Sequence, residues 1–331
     1  MMGDQQEAEL CYPQLLNLSC SFVPRPHTEA VLLCALLSFI TVLTVVLNLL
    51  VIISISHFKQ LHTPTNLLLL SLAVSDLLVG VLGMPLYTVR FIDTCWPLGD
   101  FLCALSHIFG YTIASASVGN MVLISIDRHV AICYPLQYSN QITRSRVELC
   151  VCVCWACSLL YNGLILKEHL TQPDKYNSCF GECVVVTDFV SGSVDLVVTF
   201  VGPCLVIVIL YLRVFITAVS QARAIQTHVP VTAVGRAKVT AKKSERKAAR
   251  TLGVVILVFL TTFCPYYCLS LAGYDLSSSA LPPTFVVWLL CFNSCLNPLI
   301  YALFYPWFRK AIKYIVTLKI LEQCSSLANI L

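Results

Sequence analysis

The stretch FVSGSVDLVVTFVGP, residues 189–203, is apolar enough to lie in a membrane yet carries Asp195 at its centre. Insertion scales charge about 2.5–3.5 kcal/mol for an ionised side chain at the middle of a membrane helix, so such a residue is there to do something. Three groups of this kind stand out. Asp76 shares the apolar runs with the carboxamides Asn48, Asn293 and Asn297. A carboxylate among amide oxygens has the chemistry of a hydrated cation site, and a polar cluster holding only water is the competing reading. Asp127 and Arg128 are adjacent opposite charges at the end of another run, and Asp195 is the third group.

The elements that must hold these residues are read from composition. The chain has 331 residues, 58% hydrophobic and 11% charged, with a mean hydropathy of +0.82. These values exclude an ordinary soluble globular domain. Apolar runs recur at 31–56, 63–89, 101–126, 149–166, 189–212, 251–274 and 276–308. About 20 residues at about 1.5 Å each cross the hydrocarbon core, so each run suffices for one helix. None alternates as a barrel strand does. The expected fold is an all-α membrane protein, a bundle of seven transmembrane helices. It divides into an extracellular N-terminus (1–29), a membrane domain (30–305), and an interfacial helix with a cytoplasmic tail (306–331).

Seventeen of the 21 Lys and Arg residues fall after runs one, three, five and seven, leaving Arg25, Arg90, Lys167 and Lys175 on the other side. The positive-inside rule therefore puts the N-terminus outside. The N-terminal MMGDQQEAEL is acidic and lacks an apolar segment, so no cleavable signal is expected and the first span is read as the signal anchor. Cys11, Cys20, Cys95, Cys103, Cys179 and Cys183 lie on the outer side, where disulfides form. Six cysteines permit about fifteen connectivities, and spacing does not choose among them. The sequon at Asn17 is a glycosylation candidate on the same side. Inside, basic residues crowd 218–250, a solvated face that also suits anionic lipid or a protein partner. In YPWFRKAIKYI, Trp307, Phe308, Ile312 and Ile315 share one helical side and Arg309, Lys310 and Lys313 another, the pattern of a helix lying in the interface.

Asn48, LAVSD ending at Asp76, DRH at 127–129, Trp155, Pro203, Pro265 and NPLIY at 297–301 together resemble the rhodopsin-like G-protein-coupled receptors over nearly the whole chain. CWPLGDFLC, ERKAARTLG and NSCLNPLIYALFYPWFRKAIK are similar to the trace amine-associated receptors, most of which are olfactory amine sensors. The resemblance implies a sodium ion held near Asp76, Asn48, Asn293 and Asn297. It also implies that Asp127 and Glu245 restrain Arg128 until the sixth helix swings out, with Tyr211, Tyr301, Asn297 and Pro298 in the activation machinery. Pro265 can kink the sixth helix. His129 departs from the family's usual tyrosine. The family pattern joins Cys103 to Cys183 and Cys179 to an N-terminal cysteine, Cys20 being favoured over Cys11. Such bridges are typically worth about 2 to 4 kcal/mol. The implied partners are a small amine, a stimulatory or olfactory heterotrimeric G-protein and membrane lipid, with no nucleic acid and no cofactor beyond that sodium. The implied location is the plasma membrane of sensory-neuron cilia.

The amine site departs from the family's usual form. Two turns below Cys103, where such receptors place an aspartate, stands Gly110, and the acid is instead Asp195, as in some fish members. Phe263 replaces the tryptophan usual at the switch position, and Cys291 replaces a tyrosine that braces the third-helix acid. Read from the residues alone, Asp195 lacks an evident counter-ion, since Arg90 at a helix end is the only cation in the outer half of any span. At an effective dielectric near 20, an ion pair about 4 Å apart gains about 4 kcal/mol, roughly a thousandfold in affinity before desolvation. Tyr111, Phe263, Tyr266, Tyr267 and Trp288 can line an alkylammonium pocket, and Thr199 can add a hydrogen bond. The competing readings are an Asp195 that is protonated, bonded to His107, or solvated, and aromatics that merely pack. A monoamine fits the single deep acid, whereas Glu182 or Asp188 near the mouth would suit a diamine. A rhodopsin-like receptor for a non-amine ligand, and more remotely a channel or transporter, are the alternatives. An enzyme is not expected, because His107 and the cysteines form neither metal spacing nor a nucleophile and base pair.

Overall fold

A computed structural model describes residues 9–15, 17–22, 26–93, 95–186, 188–228, 253–272 and 281–330. Seven helices in it are long and apolar enough to cross a membrane: α1 His27–His57, α2 Pro64–Ile92, α3 Gly99–Cys133, α4 Arg144–Ile165, α5 Phe189–Ser220, α6 Gly253–Leu271 and α7 Phe285–Phe304. An amphipathic helix, α8, follows at Pro306–Val316. The fold class read from the sequence is the one observed.

The first helix turns its polar residues inward and many of its apolar ones outward. On α1, Leu32, Leu36, Phe39, Val42 and Val46 are exposed while Thr44, Asn48 and Ser54 are buried. Water would forbid that arrangement, but lipid rewards it, because only helix contacts can satisfy polar groups there. At the start of α2, Thr63 accepts a hydrogen bond from the Asn66 amide at 3.3 Å and Pro64 occupies the first turn. The central helix α3 packs on α2, α4 and α5. A Cβ on Gly119 would stand 2.4 Å from Cys154 Sγ, so glycine is what lets α3 and α4 approach this closely.

Two helices are locally underwound. Val79–Gly83 in α2 and Leu196–Val201 in α5 are π-helical, each beside a residue of interest, Asp76 and Asp195 respectively.

The seventh apolar run, read as 276–308, stops earlier as a spanning helix. α7 ends at Phe304, and Tyr305, extended, turns the chain into α8 at Pro306. Phe308 therefore belongs to α8, where it, Trp307 and Ala311 are buried while Arg309 and Lys313 are exposed. Arg309 donates to the carbonyls of Ala302 and Leu303 at 2.8 and 3.0 Å, serving the acceptors that the end of α7 leaves open. Beyond α8 the chain returns to the start of the bundle, with His57 and Ser325 in hydrogen-bond contact at 3.0 Å and the Ile330 amide donating to Gln60 at 3.2 Å.

At the face bearing the N-terminus, β1 (Glu9–Leu10) and β2 (Ser21–Phe22) pair antiparallel. Three disulfides fasten this face. Cys103 joins Cys183, Cys20 joins Cys179, and Cys11 joins Cys95, with Cα separations of 5.7, 5.0 and 5.7 Å. Neither spacing nor the family resemblance assigns the last pair.

Candidate functional site

Beneath that braced face a cavity of about 550 Å³ opens between α2, α3, α4, α5, α6 and α7, within the roughly 300–1,000 Å³ of small-ligand pockets. Asp195 stands on its wall, part-buried. The Tyr161 hydroxyl on α4 donates to Asp195 Oδ1 at 3.3 Å. Among the described residues no lysine or arginine forms an ion pair with this carboxylate.

His107, Gly110, Tyr111, Phe263, Tyr266 and Tyr267 line the same cavity. The Tyr111 and Tyr266 hydroxyls lie 3.4 Å apart, and Tyr267 stacks on Phe200 with centroids at 4.2 Å. Thr199 sits one turn on, off the cavity wall. Its hydroxyl donates to the Asp195 carbonyl at 2.6 Å and contacts the Tyr267 hydroxyl at 3.0 Å, so it steadies the wall and does not face a guest. Trp288 is a correction, because it is turned away from the cavity and packs with Leu37, Met84, Phe91 and Cys291. His107 does not bond Asp195. Its Nε2 lies 3.3 Å from a nitrogen of Arg90. A guanidinium has no acceptor, so Nε2 must accept and the ring proton, if single, sits on Nδ1.

The sequence reading missed Tyr87, Arg90, Asn162 and Tyr161 as parts of this site. Tyr87 explains the glycine: a Cβ on Gly110 would stand 3.0 Å from the Tyr87 hydroxyl, so a tyrosine of α2 fills the space that a third-helix acid would need. Glu182 and Asp188 lie off the cavity. Glu182 accepts from the Ser178 amide and hydroxyl, both at 2.7 Å. Asp188 caps α5, accepting from the Val190 and Ser191 amides at 3.1 Å. Those hydrogen bonds, led by Ser191, hold its carboxyl below the ordinary aspartate range.

Deeper in the bundle, Asp76 is fully buried and accepts from Asn297 Nδ2 at 2.8 Å. Asn48 donates to the carbonyls of Thr44 and Ser294 at 2.9 and 3.0 Å. Asp76 Oδ1 and Asn48 Oδ1 have no hydrogen-bond partner among the described residues. Asn293 accepts from Thr262 of α6 at 3.3 Å. At the far end of α3, Arg128 Nε donates to Asp127 Oδ2 at 2.9 Å, and Tyr138 donates to Asp127 Oδ1 at 2.9 Å. Thr65 also contacts both members of the pair. Glu245 lies outside the described residues. Tyr211 abuts Gly253 of α6, the Tyr301 hydroxyl is buried with no hydrogen-bond partner among the described residues, and Pro298 lies inside α7.

Residues 47–301 match the model of the 7 transmembrane receptor (rhodopsin family). The chain belongs to that family. Within it, the chain is 38% identical over 330 residues to trace amine-associated receptor 13c of Danio rerio, covering 98% of this chain and 96% of the relative. It is 39% identical over 340 residues to trace amine-associated receptor 7f of Mus musculus (98% and 92%) and 37% identical over 339 residues to trace amine-associated receptor 8b of Rattus norvegicus (98% and 97%). At this identity and coverage the receptor is one of the trace amine-associated group, and not an enzyme.

Proposed function

We propose that this receptor senses small amines, taking the ligand's ammonium on Asp195, and signals through a stimulatory or olfactory G-protein that raises cAMP. The observation that carries the reading is a carboxylate on a cavity wall whose hydrogen-bond donor is a phenol, with no ion pair to a described cation. A phenol orients the carboxylate and leaves its charge to be neutralised by the guest, and the rings of Tyr111, Tyr266 and Tyr267 complement an alkylammonium. In this reading the N-terminus is extracellular, Asn17, exposed on that side, carries the glycan, and the receptor resides in the plasma membrane of sensory cilia.

A run of contacts leads from the cavity to the buried Asp76 cluster. Phe263 lines the cavity and packs on Phe259 with centroids 4.3 Å apart. The neighbouring Thr262 bonds Asn293 of α7, and Asn297, one turn on, bonds Asp76. A guest that draws α6 toward Asp195 loads this path, and release of Arg128 from Asp127 opens the G-protein face, with Tyr211 and Tyr301 stabilising the open form. The unsatisfied oxygens of Asp76 and Asn48 fit a sodium ion, which would supply a positive charge that neutralises Asp76. Asn297 and Asn293 complete that set, and their hydrogen bonds to Asp76 and Thr262 orient it.

The test is an amine panel on cells expressing wild type or Asp195→Asn, read as cAMP with surface labelling. Loss of amine responses at normal surface density supports the reading. Retained potency in the variant sinks Asp195 as the ammonium site.

A further inference from the structure

Asn162 of α4, the residue after Tyr161, lines the same cavity as Asp195 and is the one carboxamide among its lining residues. It is 2% exposed. Its Nδ2 donates to the Ser158 carbonyl at 2.8 Å and to Ser115 Oγ of α3 at 3.0 Å. A carbonyl can only accept, so the nitrogen must face it and the orientation of the amide is settled. Both N–H groups are thereby spent. What remains is Oδ1, which takes no hydrogen bond from any described residue and is not one of the fully buried atoms left without a partner. It opens on the cavity as a fixed acceptor.

α4 brings this oxygen to the neighbourhood of the carboxylate. Tyr161 reaches α5 and bonds Asp195, while Asn162, about 100° around the same turn, reaches α3. Between them the lining from α3 and α5 includes Ala114 and Leu196, whose side chains offer neither donor nor acceptor. The tyrosine hydroxyls are engaged elsewhere, Tyr111 with Tyr266 at 3.4 Å and Tyr267 with Thr199 at 3.0 Å.

Cationic amines of equal charge differ in the hydrogens they carry. A primary ammonium has three N–H groups, a secondary two, a tertiary one and a quaternary none. The carboxylate alone requires one. A second acceptor rewards a second N–H and is indifferent to a third. Desolvation works in the same direction, because a methyl group pressed against Oδ1 would bury an acceptor with no donor.

We propose that Asn162 Oδ1 is the second acceptor for the ligand's ammonium, so that the receptor selects primary and secondary amines over tertiary and quaternary ones. This rests on Asp195 as the ammonium site and deepens that reading by counting the hydrogens the guest must bring.

The experiment presents one alkyl carrier as its primary amine and as its mono-, di- and trimethylated forms, all cationic at neutral pH. Receptors are wild type, Asn162→Leu, Ser115→Ala and Asp195→Asn at matched surface density. The readouts are cAMP and ligand-induced thermal stabilisation of the detergent-solubilised receptor, which does not depend on G-protein choice. Wild type should stay within about threefold at the first methyl and lose about ten- to a hundredfold at the second, the scale of one hydrogen bond to a charged group. Asn162→Leu keeps the volume and removes the acceptor. It should flatten the step by weakening the primary and secondary amines while the tertiary amine stays within about threefold, which also shows that the variant folds. Ser115→Ala takes one anchor from the amide but leaves Oδ1 and the Ser158 anchor, so the step should survive. A wild type with no step at the second methyl, a step that persists in Asn162→Leu, or one lost equally in Ser115→Ala overturns the role of Asn162 while Asp195 keeps its own. If Asp195→Asn leaves every ligand's potency unchanged, the ammonium site itself is wrong and the inference goes with it.

Discussion

Asp76 and Asp195 are both acids in apolar helices, and both neighbour a π-helical segment, yet their surroundings assign them opposite tasks. Asp76 is fully buried, bonded to an asparagine of another helix, and set among oxygen atoms of the protein's own polar cluster. Asp195 is part-buried on the wall of a cavity, where it accepts a hydrogen bond from the Tyr161 phenol. The first arrangement suits a resident ion and a conformational latch, and the second suits a visitor. What separates them is the access and partners of each carboxylate, since the residue type is the same.

The comparison can be broken at its largest expected effect first. Asp195→Asn should lower alkylamine potency by about a hundred- to a thousandfold, as expected for loss of a pair worth about 4 kcal/mol less its desolvation. Asp76→Asn should leave the amine its direct contacts while abolishing any sodium dependence of potency. The wild-type dependence is expected to be about tenfold between low and high sodium, typical of coupling between sites. Radioligand competition at two sodium concentrations measures both variants together. Should Asp76→Asn lose amine binding as fully as Asp195→Asn at equal surface density, the two acids do not differ in task.

A finer effect is expected from Tyr161→Phe, which removes the donor to Asp195 and should change potency by about three- to tenfold, the scale of one hydrogen bond. A full thousandfold loss would mean that the phenol, and not the carboxylate, meets the guest. The smallest effect belongs to Asp188. Its lowered carboxyl pKa means that the α5 cap is complete above the acid's ordinary range and weakens as pH falls through the lowered value. Asp188→Ala should therefore lower melting temperature slightly near neutral pH and remove that acid-side sensitivity, with amine potency unchanged.

Much of this architecture is legible in the sequence because lipid imposes simple demands. Seven apolar runs become seven helices, and Asp195 is conspicuous because its neighbours are Val, Leu and Phe. Sidedness is harder to read. In water an apolar residue points inward, but in a membrane both faces of a helix accept it, so Trp288 gave no sign that it packs against Leu37 and Met84 and not into the cavity. In the sequence Arg90 reads only as a helix-end cation, a position from which long basic side chains ordinarily reach toward water. The structure turns it into the cavity. The apolar run continues to 308 past Tyr305 and Pro306, so the end of α7 is legible only from the amphipathic pattern that begins at 306. The pairing of Cys11 with Cys95 depends on how the N-terminal strands fold over the bundle, which spacing does not encode.

The π-helical segment after Asp195 makes the bearing of that carboxylate a matter of counting. A π-turn accommodates an extra residue within one turn, whereas each residue of a regular coil advances about 100°. A helical wheel drawn backwards from Pro203 through Leu196–Val201 as regular coil would thus misdirect Asp195 by about a quarter of a circle. Removing one residue from 196–201 should let the coil become regular with Asp195 still aimed inward, whereas forcing regular winding on the unshortened sequence should swing it toward a neighbour or the lipid.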